Sequence, residues 1–315
     1  MDVVALGELL IDLTCVNTDG DGYPILAAHP GGAPANFLAA LASFGAKTAL
    51  LGKVGCDSFG RLLSATLRQA GIDTRGLVMA EDVFTTLAFV TLDSSGDREF
   101  SFARKPGADT RLTFQELDLS LIEEARVFHF GTLSLTDEPA RSATQQAVAY
   151  AREKGKLISF DPNLRTPLWR DPAEAKRQML WGLSQADVVK LSREEADFLF
   201  SMGPQDSAAH ILNRFGVKLV FVTCGGDGCY FRNPIAQGYT PALSCLQVVD
   251  TTGAGDIFGG SAMWQLLQKG KSPEDLNLQE LQEIVHFACI CAGLSTTRPG
   301  GISSVPHPEE VQALL

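Results

Sequence analysis

Short apolar runs rich in β-branched and aromatic residues, VVALGELLI, TALLGKV, RVFHF, KLISFD, DVVKL and KLVFVT, alternate with segments of helical periodicity. The helical segments are PANFLAALASF, FGRLLSATLRQA, EPARSATQQAVAYAREK and SREEADFLF. No other feature constrains the fold as much. A strand, a helix and a second strand in succession build a parallel sheet covered on both faces, so its strands read as unbroken apolar runs. The helical segments are punctuated accordingly, with Pro34 near one start and Gly45, Gly71 and Gly155 just past three ends. A three-layer α/β/α domain with a mostly parallel central sheet is therefore expected over residues 1–315.

Two segments break this rhythm. Residues 13–30 and 84–104 alternate apolar and polar residues, the second around Ser94-Ser95-Gly96-Asp97, which reads as a hairpin turn and not as a further strand-helix unit. They predict a small β-sheet projecting from the main domain. Ligands of open α/β sheets bind beyond the carboxyl ends of the strands, so a sheet in that position would act as a lid.

A chain of 315 residues can bury a large core, and 45% hydrophobic with 20% charged residues is ordinary globular composition. The net charge of −11 argues against a nucleic-acid partner, which requires a basic face. An anionic cofactor would have to be held by local cations, backbone amides and a metal. The seven cysteines form no CxxC pair, and most sit in apolar runs, as expected of reduced thiols in a cytoplasmic protein. Met1 leads directly into a strand pattern without the basic start of a signal peptide. The longest uncharged apolar stretch, about 284–297, is too short to span a bilayer.

Phosphate chemistry is suggested by DTTGAGDIFGG at 250–260, which runs into the helical pattern SAMWQLLQK. Gly253, Ala254 and Gly255 leave the amides of a helix N-terminus accessible to an anion, and Asp256 adds a carboxylate at that mouth. A tight turn with Asp256 as a helix-end residue is the bland alternative. Other phosphate motifs fail. Gly270-Lys271-Ser272 has Gln265 where a P-loop needs its first glycine, and Phe258 breaks a GxGxxG. Protein-kinase HRD and DFG elements are absent. TCGGDGCYF at 223–231 and GGAPANF at 31–37 are further glycine-rich loops, each compatible with a plain turn or a ligand site.

Taken together and in this order, GELLID (7–12), GGAPAN, GKVGCDSFG (52–60), DTTGAGDIFGG and TRPGGISSVP (297–306) resemble the PfkB, or ribokinase-like, carbohydrate kinases over roughly the whole chain. Within that family, FARKPGAD (102–109), FHFGTLSL (128–135), DPNLRTPLW (161–169) and ADVVKLSREE (186–195) look like fructokinases. The 2-keto-3-deoxygluconate kinases share parts of this middle section and form the alternative. A non-catalytic sugar- or nucleotide-binding member is a third reading, disfavoured by the intact Asp256 and glycine turn.

The resemblance implies transfer of the ATP γ-phosphoryl to the 6-hydroxyl of D-fructose with Mg²⁺. By it, Asp12, Gly31, Gly32 and Asn36 would hold sugar hydroxyls, and Asp256 would be the catalytic base. Gly253, Ala254 and Gly255 would form an anion hole, Arg165 would reach the sugar or the phosphoryl, and Arg104 would help close the lid. Lys190, Thr223, Gly225, Gly228 and Cys289 match nucleotide positions, and Glu195 matches a glutamate that organises Mg²⁺ through water. Ser192 and Cys289 stand where many relatives carry Asn. A monovalent cation, K⁺, is expected beside the anion hole, with Asp250, Thr252, Ser295, Arg298, Gly300 and Ser304 as candidate ligands. The partners expected are a small sugar and ATP, neither nucleic acid nor membrane, and a second copy of the chain docked through the lid.

Overall fold

The computed structural model describes residues 1–92, 98–244 and 246–315. The turn expected at Ser94–Asp97 and one of the cysteines, Cys245, lie outside the described residues. Strands run in chain order as β1 (Val3–Leu6), β2 (Leu10–Thr18), β3 (Pro24–Gly31), β4 (Thr48–Gly55), β5 (Ile72–Asp73), β6 (Leu77–Ala80) and β7 (Leu87–Leu92). They continue as β8 (Arg98–Ala103), β9 (Val127–Gly131), β10 (Leu157–Asp161), β11 (Val188–Ser192), β12 (Leu219–Thr223), β13 (Gly228–Arg232) and β14 (Gln237–Pro241).

Among the described residues the large sheet has the order β14-β13-β12-β11-β10-β9-β1-β4-β5, with β6 also on β4. From β12 to β5 its pairings are parallel, while β13 and β14 add antiparallel strands at one edge. Burial explains the parallel part. Val4 and Leu6 of β1, with Phe128, Phe130, Ile158 and Phe160, pack under the helices Ala140–Glu153 and Pro172–Gln185. Their neighbours Val3 and Ala5, with Val127, Val188, Leu219 and Phe221, pack against Ala33–Ser43, Ala254–Lys269 and Leu278–Ser295. Successive strand residues point to opposite faces, so a strand buried on both sides needs the continuous apolar run seen in the sequence.

The second sheet has the order β3-β2-β7-β8 and is built from residues 10–31 and 87–103, close to the segments expected from their alternation. One sequence run is divided differently from its appearance. VVALGELLI reads as a single strand, but the chain turns at residues 7–9, so β1 enters the large sheet and β2 the small one. Gly7 permits the turn's close packing, because a Cβ there would lie 2.7 Å from Pro34 Cγ.

Helices Ala33–Ser43 and Ala254–Lys269 approach so closely that a Cβ on Gly260 would meet the Phe37 carbonyl oxygen at 2.3 Å and the Ala40 Cβ at 2.9 Å. Overpacking of this kind costs about 1–3 kcal/mol. Gly260→Ala is expected to lower stability by about that amount in urea unfolding, and to reduce activity as well, since these two helices carry Asn36 and Asp256.

Candidate active site

Two cavities open near the carboxyl ends of the parallel strands and share a wall. The first, of about 710 Å³, lies between Leu10, Asp12 and Phe102 of the small sheet and Asn163, Arg165, Lys190 and Asp256 of the large domain. The second, of about 480 Å³, is lined by Thr223, Gly225, Gly228, Ala254 and Cys289 among others. Lys190, Thr251 and Gly255 line both. The turn Gly253–Gly255 is therefore the partition between them. It begins the helix Ala254–Lys269, which no side chain caps, so its first amides remain available to an anion reaching the turn. Gly253 adopts φ 75°, and a Cβ on it would meet Asn36 Nδ2 at 3.0 Å. A Cβ on Gly255 would lie 2.8 Å from Lys190 Nζ, so the bare turn lets the ammonium sit directly over it.

Asp256 occupies the first turn of that helix and is 8% exposed. Asn36 Nδ2 donates to its Oδ2 at 2.9 Å, and Asn163 Nδ2 reaches its Oδ1 at 3.5 Å. Burial pushes its carboxyl up to about 6, with the nearby Asp161 charge adding to the rise and Lys190, Asn36 and Arg165 opposing it. Lys190 itself donates to Asp161 Oδ2 at 2.9 Å. Burial alone would lower the ammonium's pKa, but the charges of Asp161, Glu195 and Asp256 raise it above the usual lysine range. Asn36 Oδ1 is buried without a partner among the described residues.

On the small-sheet side, burial lifts Asp12 to about 6; Arg165 opposes the rise and Asp250 adds to it. Gly31 and Gly32 make room for the cavity wall. A Cβ on Gly31 would fall 2.2 Å from Asp12 Oδ2, and one on Gly32, at φ 123°, would fall 2.5 Å from the Glu8 carbonyl oxygen. Glu8 lines this cavity too, although the sequence reading passed over it. Its Oε1 accepts the Ala33 N–H at 2.9 Å, serving the start of a helix whose N-cap, Gly32, has no side chain. Burial raises its carboxyl to about 7, against hydrogen bonds from its own and the Ala33 backbone. The signal was a lone acid inside an otherwise apolar run. Asn163, at φ 45°, was likewise not singled out.

Arg104 is not among the residues lining this cavity. It is 4% exposed, with Nε donating to Asp109 Oδ2 at 2.7 Å, a second nitrogen to Thr136 Oγ1 at 2.7 Å and a third to the Leu133 carbonyl at 2.8 Å. The small sheet contributes Phe102 to the wall instead.

In the second cavity, Cys289 is 7% exposed and burial pushes its thiol to about 12. Glu194 lines the cavity and Glu195 does not. Glu195 accepts the Leu164 N–H at 2.7 Å and the Ser192 N–H at 2.8 Å, while Ser192 Oγ accepts the Glu195 N–H at 3.2 Å. This is a capping box that also ties the loop after β10 to the helix Arg193–Phe200. Among the candidates for a monovalent cation, Asp250 accepts the N–H groups of Thr252 at 2.8 Å and Gly300 at 3.0 Å. Ser295 and Ser304 are buried and donate to the carbonyls of Ala292 and Gly301, and Arg298 pairs with Glu310 at 2.5 Å. Among the described residues no cluster of three or more His, Cys, Asp or Glu is arranged for a metal, and no helix is long and apolar enough to cross a membrane.

Two cavities meeting at an uncapped helix start with a buried carboxylate form the site of a small-molecule kinase. The chain belongs to the pfkB family of carbohydrate kinases, whose profile matches residues 1–308. It is 42% identical over 316 positions to fructokinase-1 of Oryza sativa subsp. japonica, covering 99% of this chain and 97% of the relative. Fructokinase-1 of Zea mays is similar to the same degree and extent. The Xylella fastidiosa fructokinase with bound ATP superposes with a TM-score of 0.91 at 31% identity, over 99% of this chain and 97% of that one. A Vibrio cholerae fructokinase double mutant bound to fructose, ADP and potassium gives a TM-score of 0.88 at 31% identity, over 100% and 98%.

The Lys190–Asp161 pair has side chains 12% and 9% exposed. Removing one partner of such a pair strands a buried charge and costs about 3–5 kcal/mol. Lys190→Met is expected to lose about that much in chemical denaturation at neutral pH, and a double change with Asp161→Leu should recover most of it.

Proposed function

We propose that this chain is a fructokinase that transfers the γ-phosphoryl of ATP to the 6-hydroxyl of D-fructose. The observation that carries the reading is the meeting of the two cavities at the Gly253–Asp256 turn. Fructose lies in the larger cavity, its hydroxyls held by Asp12, Asn36 and Glu8, with Gly31 and Gly32 keeping the wall thin. ATP lies in the smaller one against Thr223, Gly225, Gly228 and Cys289. Asp256 accepts the proton of the attacking hydroxyl, and its pKa near 6 suits a base working at neutral pH. The amides of Gly253, Ala254 and Gly255, with Lys190 and Arg165, stabilise charge on the phosphoryl oxygens, which is where catalysis of phosphoryl transfer resides.

Mg²⁺ bound with the nucleotide would neutralise phosphate charge. Because both Glu195 oxygens already accept backbone N–H groups, this chain would hold that ion through water. The oxygen-only donors around Asp250, namely its carboxylate, the Thr252 and Gly300 carbonyls and the Ser295 and Ser304 hydroxyls, suit a hard cation such as K⁺. Arg298 could add only its carbonyl, since its guanidinium is engaged by Glu310. Six free cysteines among the described residues are consistent with a reducing cytoplasm.

In an ADP-release assay, kcat/KM for fructose should exceed that for ribose and for 2-keto-3-deoxygluconate; a comparable value for either would overturn the assignment. Asp256→Asn keeps an acceptor for Asn36 and should cut kcat by about 10²- to 10⁴-fold. Wild-type kcat/KM should fall as pH drops through about 6, where Asp256 and Asp12 take up protons. Folding raises the Asp256 pKa, so its ionised form destabilises the folded chain at higher pH. The Asn variant should therefore melt higher than wild type in mildly alkaline buffer.

The small sheet serves as a lid over the sugar, and a second copy of the chain covers its outer face. Supporting this, Val16, Tyr23, Ile25 and Leu26 are 58%, 68%, 46% and 40% exposed on neighbouring strands and their turn. Tyr23→Asp with Ile25→Asp should halve the mass measured by light scattering; a monomeric wild type would sink the dimer.

A further inference from the structure

A third cleft, of about 390 Å³, shares no lining residue with either cavity described above among the described residues. It adjoins the larger cavity along one turn of the chain. Thr166 and Pro167 line the sugar cavity, while the next residues along the same turn, Leu168 and Trp169, line the cleft. Within a chain of net charge −11, this cleft gathers Arg104, Lys105, Arg111 and Arg170 against two carboxylates, Asp137 and Glu138. Asp137 lies 3.9 Å from Arg104, and Glu138 accepts the Ser142 N–H at 3.2 Å, capping the following helix. The side chains of Lys105, Arg111 and Arg170 enter no ion pair or hydrogen bond among the described residues.

Trp169 lines the cleft at 9% exposure and belongs to the hydrophobic core beneath it. Three unpaired cations and a buried arginine, gathered in one concave place, match the acceptor-rich surface of a phosphate. The volume falls within the range of small-ligand clefts and suits a molecule of monosaccharide size.

We propose that this cleft binds a small phosphorylated molecule, a sugar phosphate or inorganic phosphate, at a site distinct from the one where the reaction occurs. Occupancy is communicated to the sugar. Arg104, at the base of the cleft, holds the Leu133 carbonyl and Thr136 hydroxyl, and both Leu133 and Glu8, on which the Arg104 charge acts, line the sugar cavity. A phosphate that draws on Arg104 weakens that grip, so fructose KM changes while the catalytic groups stay in place. This second step rests on the fructokinase reading, whereas the binding itself does not.

Titration calorimetry with inorganic phosphate and with fructose 6-phosphate tests binding, with fructose and ADP present in excess to fill both reaction cavities. Wild type should show one saturable site. Arg111→Ala with Arg170→Ala should weaken it at least about tenfold, a loss of about 1.4 kcal/mol, without changing kcat measured free of phosphate. Tighter binding of the sugar phosphate identifies an organic ligand, and equal binding identifies phosphate itself; either supports the site. No saturation by about 10 mM, or equal affinity in the Arg111/Arg170 variant, overturns it. If the variant loses binding but wild type fails to phosphorylate fructose, the site stands and the assigned reaction falls.

Discussion

The Asp256 carboxylate, buried against Asn36 and near the Lys190–Asp161 pair, is the constraint around which the rest of the molecule is arranged. An ionisable group in such a place needs donors from several directions, and they come from separate elements: Asn36 from one helix, Asn163 from the loop after β10, Lys190 from β11. Holding these parts in register requires the tight contact at Gly260 and the stack of parallel strands. The partly offset charge leaves the carboxyl near 6 instead of fully neutral, a compromise between burial and compensation.

The same logic separates the two faces of the site. Toward the larger cavity stand the carboxylates Asp12, Glu8 and Asp256, suited to hydroxyl groups; toward the smaller one the wall is glycine, threonine and cysteine, permissive of close backbone approach. Among the described residues, Lys190, Thr251 and Gly255 alone belong to both. Charge and bare backbone therefore coincide at one place, and that coincidence is what a transferring anionic group requires.

Much of this was legible in the sequence because two-sided burial writes itself as continuous apolar strands, and glycine turns before helices mark exposed amides. Asp12, Asn36, Arg165, Lys190 and the 253–256 turn do converge on one region. What escaped reading depended on tertiary direction. The turn after β1 is invisible in VVALGELLI because both halves are apolar, and with it went Glu8, whose importance comes from facing a cavity. Arg104 looked like a lid residue from its position after β8, but its guanidinium is consumed by Asp109, Thr136 and Leu133. Glu195, matched by resemblance to a glutamate that organises Mg²⁺ through water, is 8% exposed and holds two backbone amides, a role its place in the sequence does not announce.

The small sheet is assembled from two excursions of the chain, residues 10–31 and 87–103, and so is joined to the large domain by four strands of backbone instead of the two an inserted module would have. Two of those tethers pass through glycine, at Gly7 and at Gly31–Gly32, and a third ends at the buried Arg104–Asp109 pair. A body held by four straps cannot swing freely about one axis. Asp12 and Phe102 belong to that one sheet, so any displacement of it would carry both relative to the opposite wall of the larger cavity.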